Sequence, residues 1–143
     1  MCNYLYYHIH TIMSTIRYED TIPFIPNIKE AQVIKVYDGD TITIGFFQPD
    51  CDKPYRMSVR LLGIDTPEIK GKSPEEKAKA KMAQKFLSSH VLGKTVTLTD
   101  VSLEKYGRLL ANVYCDGAHM NQLMIDNHYA VSYDGGHKSE FTL

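Results

Sequence analysis

A small α+β domain, a five-stranded β-barrel with two or three helices packed on it, is the fold this sequence predicts. Three observations carry the prediction. The periodic segments run in the order three strands, a helix, two strands, a helix. The strand segments alternate between apolar and polar and are separated by Asp-Gly or Gly-containing turns. The chain has 143 residues, enough to close one core. Together these suit a small, partly open barrel carrying its helices outside.

Residues 1–30 show no sustained period and contain Pro23 and Pro26. They are expected to form an extended tail with at most a short strand, ahead of a domain spanning 31–143. The first strand is the β-rich run 32–36, ending at the turn Asp38-Gly39-Asp40. The second, 41–46, places Ile42, Ile44 and Phe46 on one face, and Asp-Gly between the two runs favours a hairpin. The third, 55–62, sets Tyr55, Met57, Val59 and Leu61 on one face and Arg56, Ser58, Arg60 and Leu62 on the other. Ser73-Pro74-Glu75-Glu76 starts a helix, with Ser at the N-cap, Pro at N1 and Glu at N3 forming a capping box. Its buried face is expected to be Ala78, Met82, Phe86 and His90, with Ala83 and Leu87 beside them, and Gly93 as the stop. Strict alternation over 95–99 and a β-like run over 109–114 give the last two strands. Met120, Leu123, Met124 and Asn127 are spaced like one face of a short helix.

Composition excludes several classes. Hydrophobic residues make up 43% and charged residues 23%, which excludes a disordered, collagen-like or coiled-coil chain. No run reaches the roughly 20 apolar residues of a membrane helix. The net charge is −1, so any attraction for phosphate has to be local. Its one concentration lies between Lys70 and Lys85, where six lysines face two glutamates. Cys2, Cys51 and Cys115 offer neither a disulfide framework nor a zinc pattern and read as reduced thiols. The N-terminus lacks the basic flank of a signal peptide, so the protein is expected to be intracellular. Met13 makes residues 1–12 a dispensable segment by the same reading.

Three short segments carry the chemistry. Asp38-Gly39-Asp40-Thr41 is, alone, an ordinary turn. Arg60-Leu61-Leu62-Gly63-Ile64-Asp65-Thr66-Pro67-Glu68 places an arginine on a strand and two carboxylates just past its end. Carboxylates converging from two loops, with backbone carbonyls nearby, suit a hard divalent cation such as calcium. Glu104-Lys105-Tyr106-Gly107-Arg108 is a glycine turn with an arginine opening the next strand.

Together, Val36-Tyr37-Asp38-Gly39-Asp40-Thr41, the segment from Arg60 to Glu68, and Lys105-Tyr106-Gly107-Arg108 resemble the staphylococcal nuclease (thermonuclease) family, in that family's order. The resemblance runs from about residue 31 to residue 130. It implies an OB-fold barrel that hydrolyses DNA and RNA phosphodiesters with calcium and leaves 3′-phosphate ends. It further implies Asp40, Asp65 and the Thr66 carbonyl as metal ligands, and Arg60 and Arg108 as the grip on the scissile phosphate. Glu68 matches the carboxylate beside the attacking water, either taking its proton or positioning it. Lys105 and Tyr106 match positions that touch a bound nucleotide's terminal phosphate, and Tyr133 an aromatic that stacks on a base. Asp38 looks structural. The expected partner is thus DNA or RNA, with no membrane, and the protein is expected to be a monomer.

The residue types suit that chemistry. In-line attack builds charge on phosphoryl oxygens, which aimed cations stabilise. Arginine's planar fork donates two bonds to one phosphate, which lysine cannot do. Clustered carboxylates repel, so Asp40→Ala or Asp65→Ala is expected to gain stability when no metal is bound. The sequence departs from the family pattern at a longer loop over 46–54, at His128 where a helix-ending glycine is usual, and in the glycine-rich run 133–138. The alternative is a non-catalytic nucleic-acid or protein binding module of the same fold. What separates the two is the joint presence of Asp40, Arg60, Asp65, Glu68 and Arg108.

Overall fold

The computed structural model describes residues 15–136. The segment 1–12, read from the sequence as dispensable, lies outside the described residues, as do Cys2, His137 and Lys138.

The described residues open with a 3-10 turn at Tyr18–Asp20 and an exposed stretch. Five strands then build a barrel: β1 (Glu30–Val36), β2 (Thr41–Phe46), β3 (Tyr55–Leu61), β5 (Thr95–Leu103) and β6 (Leu109–Cys115). Three two-residue strands accompany them: β4 (Ile64–Asp65), β7 (Ala118–His119) and β8 (Val131–Ser132). The sheet order is β3-β2-β1-β5-β6-β7, and a parallel pairing of β3 with β6 closes it. The other barrel contacts are antiparallel. This is the expected α+β barrel with two helices, α1 (Pro74–Val91) and α2 (Met120–Asp126).

Alternation predicts the core well. Ile42 and Ile44 on β2, Val59 and Leu61 on β3, and Leu109, Ala111 and Val113 on β6 are fully buried. Ile28, within the stretch read as tail, is 6% exposed and joins the same core. The carbonyl of its neighbour Lys29 accepts a 2.8 Å hydrogen bond from Leu98 N–H, which seats the entering chain on β5. β5 runs four residues past the expected 95–99, across an irregularity between Thr99 and Ser102 where Asp100 has φ 52°. A bulge of this kind bends a strand so that it can follow a barrel wall.

The α1 cap is half as expected. Ser73 accepts Glu76 N–H at 3.1 Å, but the Glu76 carboxylate accepts from Lys72 N–H at 3.0 Å rather than from the cap residue. The buried face of α1 is rotated from the expected one. Ala83 and Leu87 are buried as expected, joined by Ala80 and Val91, whereas Ala78 and Met82 are exposed. The reason is steric. A Cβ on Gly39 would lie 2.7 Å from the Cβ of Ala83 and 2.9 Å from Thr66 Cγ2. The helix therefore presents its small residues to the β1–β2 turn. Gln84 then donates to the carbonyls of Val36 at 3.0 Å and Tyr37 at 2.9 Å, locking that orientation. Phe86 and His90 pack at the side, with the Phe86 ring 4.6 Å from that of Tyr129.

Buried Asn121 on α2 ties three elements together. Its Oδ1 accepts Val113 N–H at 2.9 Å, and its Nδ2 donates to Leu62 O at 2.8 Å and Ala111 O at 3.2 Å. The Leu62 carbonyl belongs to the short loop that leads from β3 to Asp65, so α2 steadies the segment that delivers that carboxylate.

Candidate functional site

The β1–β2 turn aims Asp40 inward. Asp38 Oδ1 accepts Asp40 N–H at 3.1 Å, an Asx-type bond that shapes the turn. Asp40 Oδ2 then accepts both the amide and the hydroxyl of Thr66, each at 3.1 Å, and Oδ1 accepts the Thr41 hydroxyl at 3.0 Å. One carboxylate thus joins two loops that are 26 positions apart in the chain. Burial, then the neighbouring charge of Asp40, pushes the Asp38 carboxyl up to about 6.

Asp65 lies on β4, held by pairing with Val131 of β8. Arg60 stands on β3 opposite Thr41. Its Nη2 contacts Asp65 Oδ1 at 3.0 Å and Asp40 Oδ2 at 3.5 Å. All three side chains are largely covered, at 12% exposure for Arg60, 3% for Asp65 and 8% for Asp40. Two carboxylates therefore converge on a single positive nitrogen. The guanidinium also lies over the Tyr133 ring, 5.4 Å from its centroid.

The β5–β6 hairpin supplies the opposite wall. Gly107, at φ 81°, allows the turn, and Gly107 N–H donates to Glu104 O at 3.0 Å. Arg108 Nε donates to Glu104 Oε1, and Nη2 donates to Glu104 Oε2 at 3.1 Å. These hydrogen bonds to Glu104 raise the Arg108 pKa further.

A cleft of about 810 Å³ gathers these groups. Asp40, Asp65 and Thr66 line it, as do Arg60, Glu68 and Arg108. Lys105, Tyr106 and Tyr133 line it too, so the structure brings together every site residue that the sequence suggested. Lys105 and Tyr106 stand in contact, with the ammonium 4.9 Å from the ring centroid and Tyr106 73% exposed. Glu68 is exposed on the wall formed after β4. Sequence reasoning did not single out Tyr37, Lys70, Asp134 or Glu104 as cleft residues. For Glu104 a signal existed: it stands four residues before Arg108 across a glycine turn, where hairpin partners meet.

Among the described residues, no group of three or more His, Cys, Asp and Glu side chains stands ready as a metal cage. The donors at the head of the cleft are all oxygen, and two of them are carboxylates already converging on one cation, the Arg60 guanidinium. That donor chemistry fits a hard divalent ion rather than zinc.

The family model described as staphylococcal nuclease homologue matches residues 58–142. The chain belongs to the staphylococcal nuclease family. It is 36% identical over 95 residues to an uncharacterized endonuclease of Escherichia coli O157:H7, covering 66% of this chain and 54% of that protein. It is 34% identical over 91 residues to the thermonuclease of Staphylococcus hyicus, covering 62% of this chain and 50% of that protein. An uncharacterized protein of Bacillus anthracis matches at 39% identity over 106 residues, 71% of this chain and 46% of its own length. The chain therefore spans about half the length of the curated relatives it matches. Among the described residues, no helix is long and apolar enough to cross a membrane.

Proposed function

We propose that this protein is a calcium-dependent nuclease that hydrolyses phosphodiester bonds of DNA and RNA with little sequence preference and leaves 3′-phosphate ends. The supporting observation is one cleft lined by two arginines, Arg60 and Arg108, from separate parts of the barrel and by the carboxylates Asp40 and Asp65. The family membership and the relatives named endonuclease and thermonuclease support the same reading.

Arg60 and Arg108 would grip the phosphate that is cut. Each guanidinium carries five N–H donors and spends only part of them on its carboxylate partners. Their charge meets the charge that grows on the phosphoryl oxygens, so they favour the transition state over the bound substrate. Glu68, exposed at the cleft wall, would hold the attacking water or accept its proton. Lys105 and Tyr106 would bind a flanking phosphate, and Tyr133 would stack on a base, a contact any base satisfies. Asp40, Asp65 and the Thr66 carbonyl would hold calcium, which when bound orients and polarises the phosphate as a Lewis acid.

The test is single-turnover cleavage of a labelled oligonucleotide, beside equilibrium binding, in calcium and in EDTA. The wild type should cleave only with calcium. Arg60→Lys and Arg108→Lys should each lose about 10²–10³ in rate with little change in affinity, because a point charge cannot replace the fork. The double variant should lose less than the product of the two. Binding without cleavage by the wild type would mark a docking module instead, and full activity in EDTA would remove calcium from the mechanism.

A further inference from the structure

Glu104 stands in a place that is unfavourable for a carboxylate. It lines the cleft proposed to receive a polyanion, where a negative side chain repels the ligand. Its side chain is 14% exposed, well covered for a hairpin residue. The Glu104 backbone N–H donates to Arg108 O at 2.9 Å, so the two residues face each other across the neck of the β5–β6 hairpin. Both Glu104 carboxylate oxygens engage Arg108, one through Nε and one through Nη2. Such a two-point pair sets the plane of the guanidinium as well as its position. It uses the side edge of the fork. The N–H groups of Nη1 and the second hydrogen of Nη2 form the far edge, which remains for a phosphate.

The two arginines are thus held differently. Arg60 leans on Asp40 and Asp65, the carboxylates assigned to the cation. Arg108 has a carboxylate of its own that lies outside that set. We propose that Glu104 is a positioning residue, which orients the Arg108 guanidinium for the scissile phosphate. This rests on the nuclease reading and on the Arg108 grip within it. A Glu104→Gln change would keep one acceptor but turn an NH2 group toward an arginine N–H, so the two-point pair would be lost. A charge-only role predicts a different kinetic outcome. Removing a negative charge from the cleft would tighten DNA binding and leave the chemical step alone.

The experiment compares wild type, Glu104→Gln, Arg108→Ala and the double variant on a labelled single-stranded DNA oligonucleotide with calcium, by single-turnover rate and by equilibrium binding. Urea unfolding checks that each is folded. Glu104→Gln should slow cleavage by about tenfold to a hundredfold, as a displaced working group does, with affinity unchanged or tighter. In the Arg108→Ala background the same change should cost less than about twofold. A wild-type rate for Glu104→Gln, or an equal loss in both backgrounds, overturns the positioning role while leaving the Arg108 grip standing. A wild-type rate for Arg108→Ala removes the grip and the positioning role together, and no cleavage by the wild type removes the nuclease reading itself. A second readout needs no turnover. The Arg108 Nε–H signal in 15N NMR should be ordered and slow to exchange in wild type and averaged in Glu104→Gln. An equally ordered signal in that variant also overturns the proposal.

Discussion

Removing the Asp40 carboxylate tests how the cleft is held when no metal is bound. Mutual repulsion between carboxylates argues that Asp40→Ala should stabilise the metal-free protein, and the sequence supports that expectation. The structure argues the opposite. Asp40 accepts hydrogen bonds from the Thr66 amide, the Thr66 hydroxyl and the Thr41 hydroxyl, and it lies beside the Arg60 guanidinium. The hydroxyls can rotate toward other acceptors, but the amide of Thr66, a residue 2% exposed, cannot. Leaving that donor unpaired costs about 1–3 kcal/mol. Each lost hydroxyl bond adds about 0.5–1.5 kcal/mol. Relief of repulsion with Asp38 offsets part of this, and Arg60 keeps Asp65. The net expectation is a loss of about 2–3 kcal/mol, or roughly 5–10 °C in Tm for a domain of this size. Asp40→Asn, which keeps one oxygen for the Thr66 amide, should lose less than half as much. The assay is urea and thermal unfolding of wild type, Asp40→Asn and Asp40→Ala in EDTA. An Asp40→Ala protein as stable as wild type or more so would refute this reasoning and restore repulsion as the dominant effect.

The Asp38 carboxyl, raised to about 6 by burial and by Asp40, binds its proton more tightly in the folded state than in the unfolded one, where it titrates at about 4. Its contribution to stability is therefore complete below about pH 4 and lost as pH rises through about 6; stability curves in EDTA should flatten over that window in Asp38→Asn, and an unchanged slope would contradict the assignment. His128 follows α2 at φ 61°, with its N–H bonded to Ile125 O at 2.9 Å, so His128→Gly should remove left-handed strain and add about 1 kcal/mol in urea unfolding, while His128→Ala should not. The exposed Lys77 and Lys81 lie on the same side of α1 as Gln84, which anchors the helix beside Tyr37 of the cleft. Reversing both charges should weaken oligonucleotide binding most at low salt, and an identical salt slope would leave them as a solvated helix face.

Elements set by local chemistry were legible in advance. Asp-Gly and Gly turns, period-two alternation and the Ser-Pro-x-Glu helix start each act within a few residues, so the order of elements and most of the core could be read along the chain. The site residues were legible as segments, because Asp40, the run from Arg60 to Glu68, and Lys105 to Arg108 each sit beside a turn or a strand end. What each segment touches was not. The face that α1 buries depends on the absence of a side chain at Gly39, a contact with a residue 44 positions before Ala83. The sharing of Arg60 by Asp40 and Asp65 and the covering of Arg60 by Tyr133 arise where separate stretches of chain meet, whereas the two-point hold of Glu104 on Arg108 spans four residues across one glycine turn. Barrel closure is of the same kind, since β3 and β6 pair in parallel across a long intervening stretch of chain. Local residue chemistry thus sets which backbone shapes form and in what order. Which carboxylates share Arg60 is settled by packing, because Asp40 reaches it from another stretch of the chain, a distance in space that no local pattern encodes.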